Sequence, residues 1–335
     1  MTTENELFPP ITPLTSASKL EASWRTTLFP FWQTLQRGVL DTEDGLKLTY
    51  FYHHHPDNQR AVVISSGRIE TAIKYTELCY DFVAAGYSVF LLDHRGQGFS
   101  QRELTNPHKG YVADFAHYQA DLEKFIFDIV LPTGHKYHLA LGHSMGSAIL
   151  AGYLSKPHPF QAAVLASPMF GIYTGLVPKH LAEPLALTYS KVNQLLSKQP
   201  WYFPGQSDYK DKDFAGNVLT SDADRFAWLQ RLYREHPELQ LGGVTSSWIS
   251  AAIKHMRYII EQAANWSTPV LLLQAADDKV VSNHAQDLWF ASIPTSTPHN
   301  KLSLAGARHE IFMEQDIIRQ QAYTAINSFV AKLTY

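Results

Sequence analysis

The sequence predicts an α/β protein built on a mostly parallel, doubly wound sheet with a helical insertion. Three observations carry this reading. First, apolar runs of strand length alternate along the chain with stretches of helical period. The strand candidates are "LKLTYFY", "RAVVIS", "YSVFLLD", "YHLALG", "AAVLAS", "PVLLLQ" and "NKLSLA". Most are continuous rather than alternating, as expected for strands covered by helices on both faces. Second, the alternation fails once, between "AAVLAS" and "PVLLLQ", where roughly a hundred residues hold helical periods, prolines and aromatics but no buried strand. Third, "HLALGHSMGSAIL", residues 138–150, reads as a strand, a very short turn and a helix, with Ser144 between Gly142 and Gly146.

Taken in chain order, residues 1–45 are expected to form an N-terminal arm. Residues 46–167 and 267–335 then form the α/β core, and 168–266 an inserted cap. In the arm, "WRTTLFPFWQTL" carries Trp24, Leu28, Phe31, Trp32 and Leu35 as a helical stripe interrupted by Pro30. Such a stripe serves either to pack on the core or to attach peripherally to a bilayer surface. In the core, Leu78, Phe82 and Ala85 make one helical stripe, and Ile318, Ala322, Ala325, Phe329 and Leu333 another. The cap contains the turn-rich, aromatic "SKQPWYFPGQSDYKDKDF", in which Trp201, Tyr202 and Phe203 supply cap core, lipid contact or both. It also contains "GGVTSSWISAAIKHMRYIIEQ", where Thr245 or Ser246 caps a helix whose inner face carries Ile249, Ile253, Met256 and Ile260.

Composition narrows the function classes. The chain has 335 residues, 45% hydrophobic and 18% charged, with a formal charge of −3. There is no basic field to attract a nucleic acid, so none is expected as a partner. Cys79 stands alone, which excludes an internal disulfide framework and a cysteine metal site. The N-terminus "MTTENELFPPITPL" lacks a basic region followed by an apolar one, and no run approaches membrane-span length. The expected compartment is the cytoplasm.

A serine between two glycines at a strand-to-helix seam suits a nucleophile, because small neighbours let its hydroxyl be approached. A serine hydroxyl is a poor nucleophile alone; it needs a base, a carboxylate to orient that base, and donors for the developing oxyanion. In this architecture the acid follows a late strand and the histidine the last one. "PVLLLQ" is followed by Asp277 and Asp278, and "NKLSLA" by His309. His309 is therefore the expected base. Other motifs read more plainly. The run from His53 to Asp57 is not expected to hold a metal, since adjacent strand residues face opposite ways and Pro-Asp marks a turn. Gly96-x-Gly98 lacks the third glycine of a nucleotide loop, position 101 being Gln. Arg225 suits a phosphate or a local carboxylate such as Asp222.

The segments "SSGRIETAIKYTEL", "LLDHRGQGFSQR", "LGHSMGSAI", "SPMFGI", "NVLTSDADRF", "GGVTSSW", "LLLQAADDKVVSN" and "GARHEIFME" resemble the monoacylglycerol-lipase-like serine hydrolases of the α/β-hydrolase superfamily. Within that branch they resemble most the bacterial PldB-type lysophospholipases. The resemblance implies an α/β-hydrolase fold and Ser144, Asp278 and His309 as the catalytic triad. Asp278 rather than Asp277 fits the family's Asp-x-x-Val spacing to Val281. The oxyanion donors implied are the backbone amides of Met145 and Arg68, although Ser66-Gly67-Arg68 stands where the superfamily usually has His-Gly-x. Asp93, Arg95 and Ser100 are implied to bind their loop in place.

The expected reaction is hydrolysis of a carboxylic ester through an acyl-enzyme, with no cofactor and no metal. The expected substrate is a single-chain lipid ester, a lysophospholipid first. Monoacylglycerol or other single-chain esters are the alternative, a soluble-substrate esterase or peptidase and a non-catalytic binding module the more distant ones. Leu176, Leu181, Leu185, Tyr189 and Trp201 are expected to enclose the acyl chain. The head group is expected to be held loosely, for want of a dense Lys and Arg cluster in the cap. Peripheral contact would be with the inner face of the bacterial inner membrane.

Overall fold

The computed structural model describes residues 9–55, 57–175 and 178–333. At its centre is an eight-stranded sheet in the order β1-β2-β4-β3-β5-β6-β7-β8. The strands are β1 Gln36–Asp41, β2 Lys47–His53, β3 Arg60–Ser65, β4 Ser88–Leu92, β5 Tyr137–His143, β6 Ala162–Ala166, β7 Val270–Ala275 and β8 His299–Leu304. Only β2 runs against its neighbours; every other pair is parallel. The helices are α1 Leu20–Ser23, α2 Phe29–Thr34, α3 Thr76–Ala84, α4 Phe115–Phe125, α5 Met145–Tyr153, α6 Lys179–Leu196, α7 Ala223–Glu235, α8 Ser246–Gln262, α9 Asn283–Ala291 and α10 Asp316–Val330.

The continuous apolar runs are explained by cover on both faces. In β3, Ala61 and Val63 join the core that includes α4, α5 and α8, while Val62 and Ile64 join the one that includes α3 and α10. On α10 the inner face is Ile318, Ala322, Ile326 and Phe329, with Ala325 half-buried at its margin. One strand escaped the sequence reading. In β1 only Leu40 is buried, so "QRGVLD" shows neither an apolar run nor alternation. It pairs nevertheless, Gly38 lying opposite Tyr50. A Cβ on Gly38 would fall 2.1 Å from the Tyr50 ring, so the aromatic side chain covers the glycine.

The N-terminal stripe packs inward. Trp24 meets Trp228 with ring centroids 5.0 Å apart, Phe31 meets Tyr80 at 5.2 Å, and Trp32 meets Phe51 at 4.6 Å. Pro30 does not break the helical run. Residues Trp24–Leu28 form a π-turn in which the Phe29 amide donates to the Trp24 carbonyl, widening the ladder just before the residue that has no N–H.

The segment between β6 and β7 adds no strand to the sheet and contributes α6, α7 and α8. Thr245 caps α8 by accepting from the Trp248 amide. The buried face of α8 is Trp248, Ala252, Ile253, Met256 and Ile259, so Ile249 and Ile260 lie half-buried beside it. Tyr189 meets Trp201 in a tilted contact at 6.1 Å and takes Phe203 edge-on at 5.9 Å, which makes these aromatics packing residues of the insertion. Two residues expected to enclose an acyl chain do not: Leu181 and Leu185 are 53% and 67% exposed on the outer side of α6. Proximity in sequence to the insertion could not reveal which face of α6 turns inward. Leu176 lies outside the described residues.

Charge clamps this insertion to the core. Arg225 of α7 is fully buried and donates to Glu77 of α3 at 3.0 and 2.9 Å and to Asp316 of α10 at 2.7 Å, with Asp222 at 3.3 Å. Arg319 shares Glu77 and adds Asp81. Arg225 is thus occupied by carboxylates and not available to a phosphate. Arg225→Met should leave these carboxylates undercompensated in the interior and lower the unfolding free energy by about 3–5 kcal/mol, as read by urea denaturation.

Candidate active site

The end of β5 and the start of α5 meet in one residue. Ser144 holds φ 51 and ψ −116, a strained conformation for a residue with a side chain. The cause is close approach. A Cβ on Gly146 would lie 2.0 Å from the Ser65 carbonyl oxygen, and one on Gly142 would lie 2.6 Å from the Ser147 Cα. The turn is tied down by Ser144 N–H donating to the Ala166 carbonyl at 2.9 Å, and by the Ser144 carbonyl accepting from Ala148 and Met169.

Three chain-distant residues converge there. His309 Nε2 lies 2.8 Å from Ser144 Oγ, and His309 Nδ1 lies 2.8 Å from Asp278 Oδ2. An ionised carboxylate can only accept, so Nδ1 carries the proton and Nε2 of the neutral ring is free to accept from the serine hydroxyl. Burial pushes the Asp278 carboxyl up, but the His309 hydrogen bond and charge and the amides of Val281 and Val280 outweigh it, leaving the group below its ordinary value. The Val280 amide donates to Asp278 Oδ1 at 2.7 Å and the Val281 amide at 3.0 Å, which is the physical content of the Asp-x-x-Val spacing. The neighbouring Asp277 is exposed.

Among the described residues, neither the Arg68 nor the Met145 amide has an acceptor. An open amide on the residue after the serine, such as that of Met145, suits a developing negative charge. The "DHRGQGFSQR" loop is held structurally. Asp93 accepts from the Ala72 amide at 2.7 Å, the Phe99 amide at 2.8 Å and Thr71 Oγ1 at 3.0 Å. Arg95 forks onto Asp121, and Ser100 bridges the Asp93 carbonyl and the Thr49 amide. Gly98 is required because a Cβ there would strike the Asp93 carboxylate at 2.2 Å.

A second buried cluster was not read from the sequence. The Glu70 carboxylate accepts from the Gly67 amide, Tyr75 hydroxyl, Lys74 ammonium and His143 Nδ1. The other His143 nitrogen, Nε2, faces the His309 carbonyl at 3.0 Å. Both ring nitrogens therefore meet groups that only accept, and His143 is held as the imidazolium. Burial opposes that charge, but Glu70 overcomes it and keeps His143 above its ordinary value. Burial likewise opposes the Glu70 charge, and His143 and Lys74 hold it well below its usual range. Lys74 also pairs with Glu310 at 2.9 Å. The one visible signal was the four-residue spacing of Glu70 and Lys74; His143 and Glu310 are brought in by the fold.

The residues that make this site lie within the range matched by a protein family. The family described as "Serine aminopeptidase, S33" matches residues 56–316. Lysophospholipase L2 of Escherichia coli is 34% identical over 308 residues, covering 90% of this chain and 89% of its own. The chain belongs to this family of α/β-hydrolases. The probable lysophospholipase L2 of Haemophilus influenzae is 30% identical, covering 90% of this chain and 94% of its own. A soluble variant of the Saccharomyces cerevisiae monoglyceride lipase, solved with a substrate analogue, shares the fold with a TM-score of 0.67 at 19% identity, covering 90% of this chain and 96% of that one.

The Glu70 cluster makes stability pH-dependent with a definite sign. A raised His143 contributes stability that is full below its unfolded value of 6.5 and lost as pH rises through its folded value. A lowered Glu70 contributes stability present above 4.5 and lost as pH falls through its folded value. In urea titrations, the advantage of wild type over Glu70→Gln should therefore be largest between pH 4.5 and 6.5 and shrink on either side.

Proposed function

We propose that this carboxylic-ester hydrolase is a lysophospholipase, with Ser144 as nucleophile, His309 as general base and Asp278 as the carboxylate that orients it. The observation that carries the reading is the unbroken hydrogen-bonded line from Asp278 through His309 to Ser144. Ser144 Oγ attacks the ester carbonyl while His309 Nε2 takes its proton, and the oxyanion is held by the amides of Arg68 and Met145. Collapse returns that proton to the leaving alcohol. Water, deprotonated by the same nitrogen, then attacks the acyl-serine and releases the fatty acid. None of these steps calls for a metal or cofactor.

The lipid reading is supported by the names of the two lysophospholipase relatives and by an exposed apolar row on α6. Leu181, Leu185, Val192, Leu195 and Leu196 are between 40% and 84% exposed, at spacings that keep them on one side of the helix. We take residues 168–266 as the cap and this row as its contact with a lipid aggregate or membrane surface. The N-terminal stripe, by contrast, is used up in packing against Trp228, Tyr80 and Phe51. Among the described residues no helix is long and apolar enough to cross a membrane, so the contact proposed is peripheral.

The reading is tested by triad variants and by the choice of substrate. Ser144→Ala and His309→Ala should each lower kcat by about a thousandfold or more with folding intact, and Ser144→Ala should abolish labelling by a fluorophosphonate. Asp278→Asn should cost orders of magnitude in kcat, whereas Asp277→Asn should change little. On substrates below their micelle threshold, kcat/KM should rise with acyl length by at most about fourfold per methylene, the equivalent of 0.8 kcal/mol, until the pocket is full. Diacyl phospholipids should be cleaved more slowly than lysophospholipids. A flat profile, or equal rates on diacyl lipid, would leave a serine esterase that is not a lysophospholipase.

A further inference from the structure

Arg68, which is half-buried, differs from the other inward-lying arginines of this chain. Arg95, Arg225 and Arg319 each fork onto carboxylates. Arg102, which has no carboxylate in contact, spends its guanidinium on the carbonyls of Gly98, Ser100 and Glu238. Arg68 does neither. Its Nη1 donates to the Gly242 carbonyl at 2.9 Å and its guanidinium stands 5.9 Å from the centre of the Trp248 ring. Among the described residues no acceptor meets its Nε or Nη2, and no carboxylate pairs with it.

Those two nitrogens reach solvent instead of being sealed in the interior, so they are open to an anion that comes from outside the chain. Packing around the guanidinium, with no carboxylate against it, pushes Arg68 down to about 10. A second cation lies nearby. Lys212, from the segment before α7, is held below its ordinary value first by burial and then by the charge of Arg68. Lys212 itself is exposed, and the charge of Glu310 acts on it in the opposite sense.

The place of Arg68 gives its open donors a use. Its backbone amide is the proposed oxyanion donor, so its side chain starts at the scissile ester and runs to Gly242 at the insertion. In a lysophospholipid the phosphate is separated from the ester by the glycerol carbons, a span comparable with an arginine side chain. We propose that the Arg68 guanidinium binds the anionic phosphate diester of the leaving group. One residue then serves twice, its amide stabilising the oxyanion and its open N–H donors receiving the phosphate. The charge comes from the oxyanion loop, which is why a search of the cap sequence for a basic cluster did not find it. The inference rests on the lysophospholipase reading and names the group that selects the phosphorylated substrate.

The test compares palmitoyl lysophosphatidylcholine with monopalmitoylglycerol, the same acyl chain with and without the phosphate, below their micelle thresholds. The readout is the ratio of the two kcat/KM values, which cancels any effect of the substitution on the shared chemistry. Arg68→Gln should lower that ratio about tenfold or more, and Arg68→Lys should restore part of it. Labelling by a fluorophosphonate and a cooperative thermal transition establish that each variant retains a folded site. A second measurement does not depend on lysophospholipid turnover. Glycerophosphocholine and inorganic phosphate are tried as competitive inhibitors of monopalmitoylglycerol hydrolysis, and inhibition by the phosphodiester should weaken in Arg68→Gln. Inhibition by inorganic phosphate as well would mark a general phosphate site, still on Arg68. An unchanged ratio in Arg68→Gln, or no inhibition of wild type by millimolar phosphodiester, would overturn the inference and leave Arg68 a structural strut. Failure of wild type to cleave the lysophospholipid, with phosphodiester inhibition that Arg68→Gln abolishes, would instead overturn the lysophospholipase reading and keep the anion site.

Discussion

The buried Glu70 carboxylate is the interaction on which the site's geometry depends. It accepts from the Gly67 amide in the loop after β3, and from His143 at the end of β5. His143 in turn donates to the backbone of His309. The loop that carries Arg68, the strand that carries Ser144 and the segment that carries His309 are therefore joined through one carboxylate. A buried charge is tolerated only when paired and hydrogen-bonded, and here the pairing is distributed over His143, Lys74 and, through Lys74, Glu310. Moving any of these segments would leave a charge uncompensated. That penalty holds the three segments in register without adding bulk at the reacting centre.

The same logic recurs at the junction of insertion and core. Glu77 receives both Arg225 from α7 and Arg319 from α10, and Asp81 receives Arg319 and the Tyr323 hydroxyl. An interior network of this kind gives position more than stability, because each charge is satisfied in one arrangement only. The N-terminal stretch joins the assembly, Thr15 donating to Glu77 and the Leu14 amide to Asp81. The outer side of α6 carries no such charge clamp along its apolar row. The insertion therefore has a root fixed by charge, while α6 carries an apolar outer side.

Strain and electrostatics meet at Ser144. Its backbone is held at positive φ by the contact of α5 with β3, and the turn leaves its hydroxyl in line with His309. Asp278 is tied at one oxygen by two amides and offers the other to His309, so the ring is oriented before any substrate arrives.

The sequence by itself determined the parts whose signal is local. Buried strands read as unbroken apolar runs, the short strand-to-helix turn demanded glycines at 142 and 146, and chain order picked out the segments holding Asp278 and His309. Each rests on a period or a steric rule that acts over a few residues. Tertiary structure decided the rest, for reasons of distance and exposure. β1 was invisible because an edge strand with a single buried residue has no pattern to read. The inward face of α6, and with it the exposure of Leu181 and Leu185, was set by what packs beneath the helix. His143 and Glu310 look ordinary in sequence, since their meaning lies in charges brought from segments far apart along the chain, and only folding makes those charges neighbours.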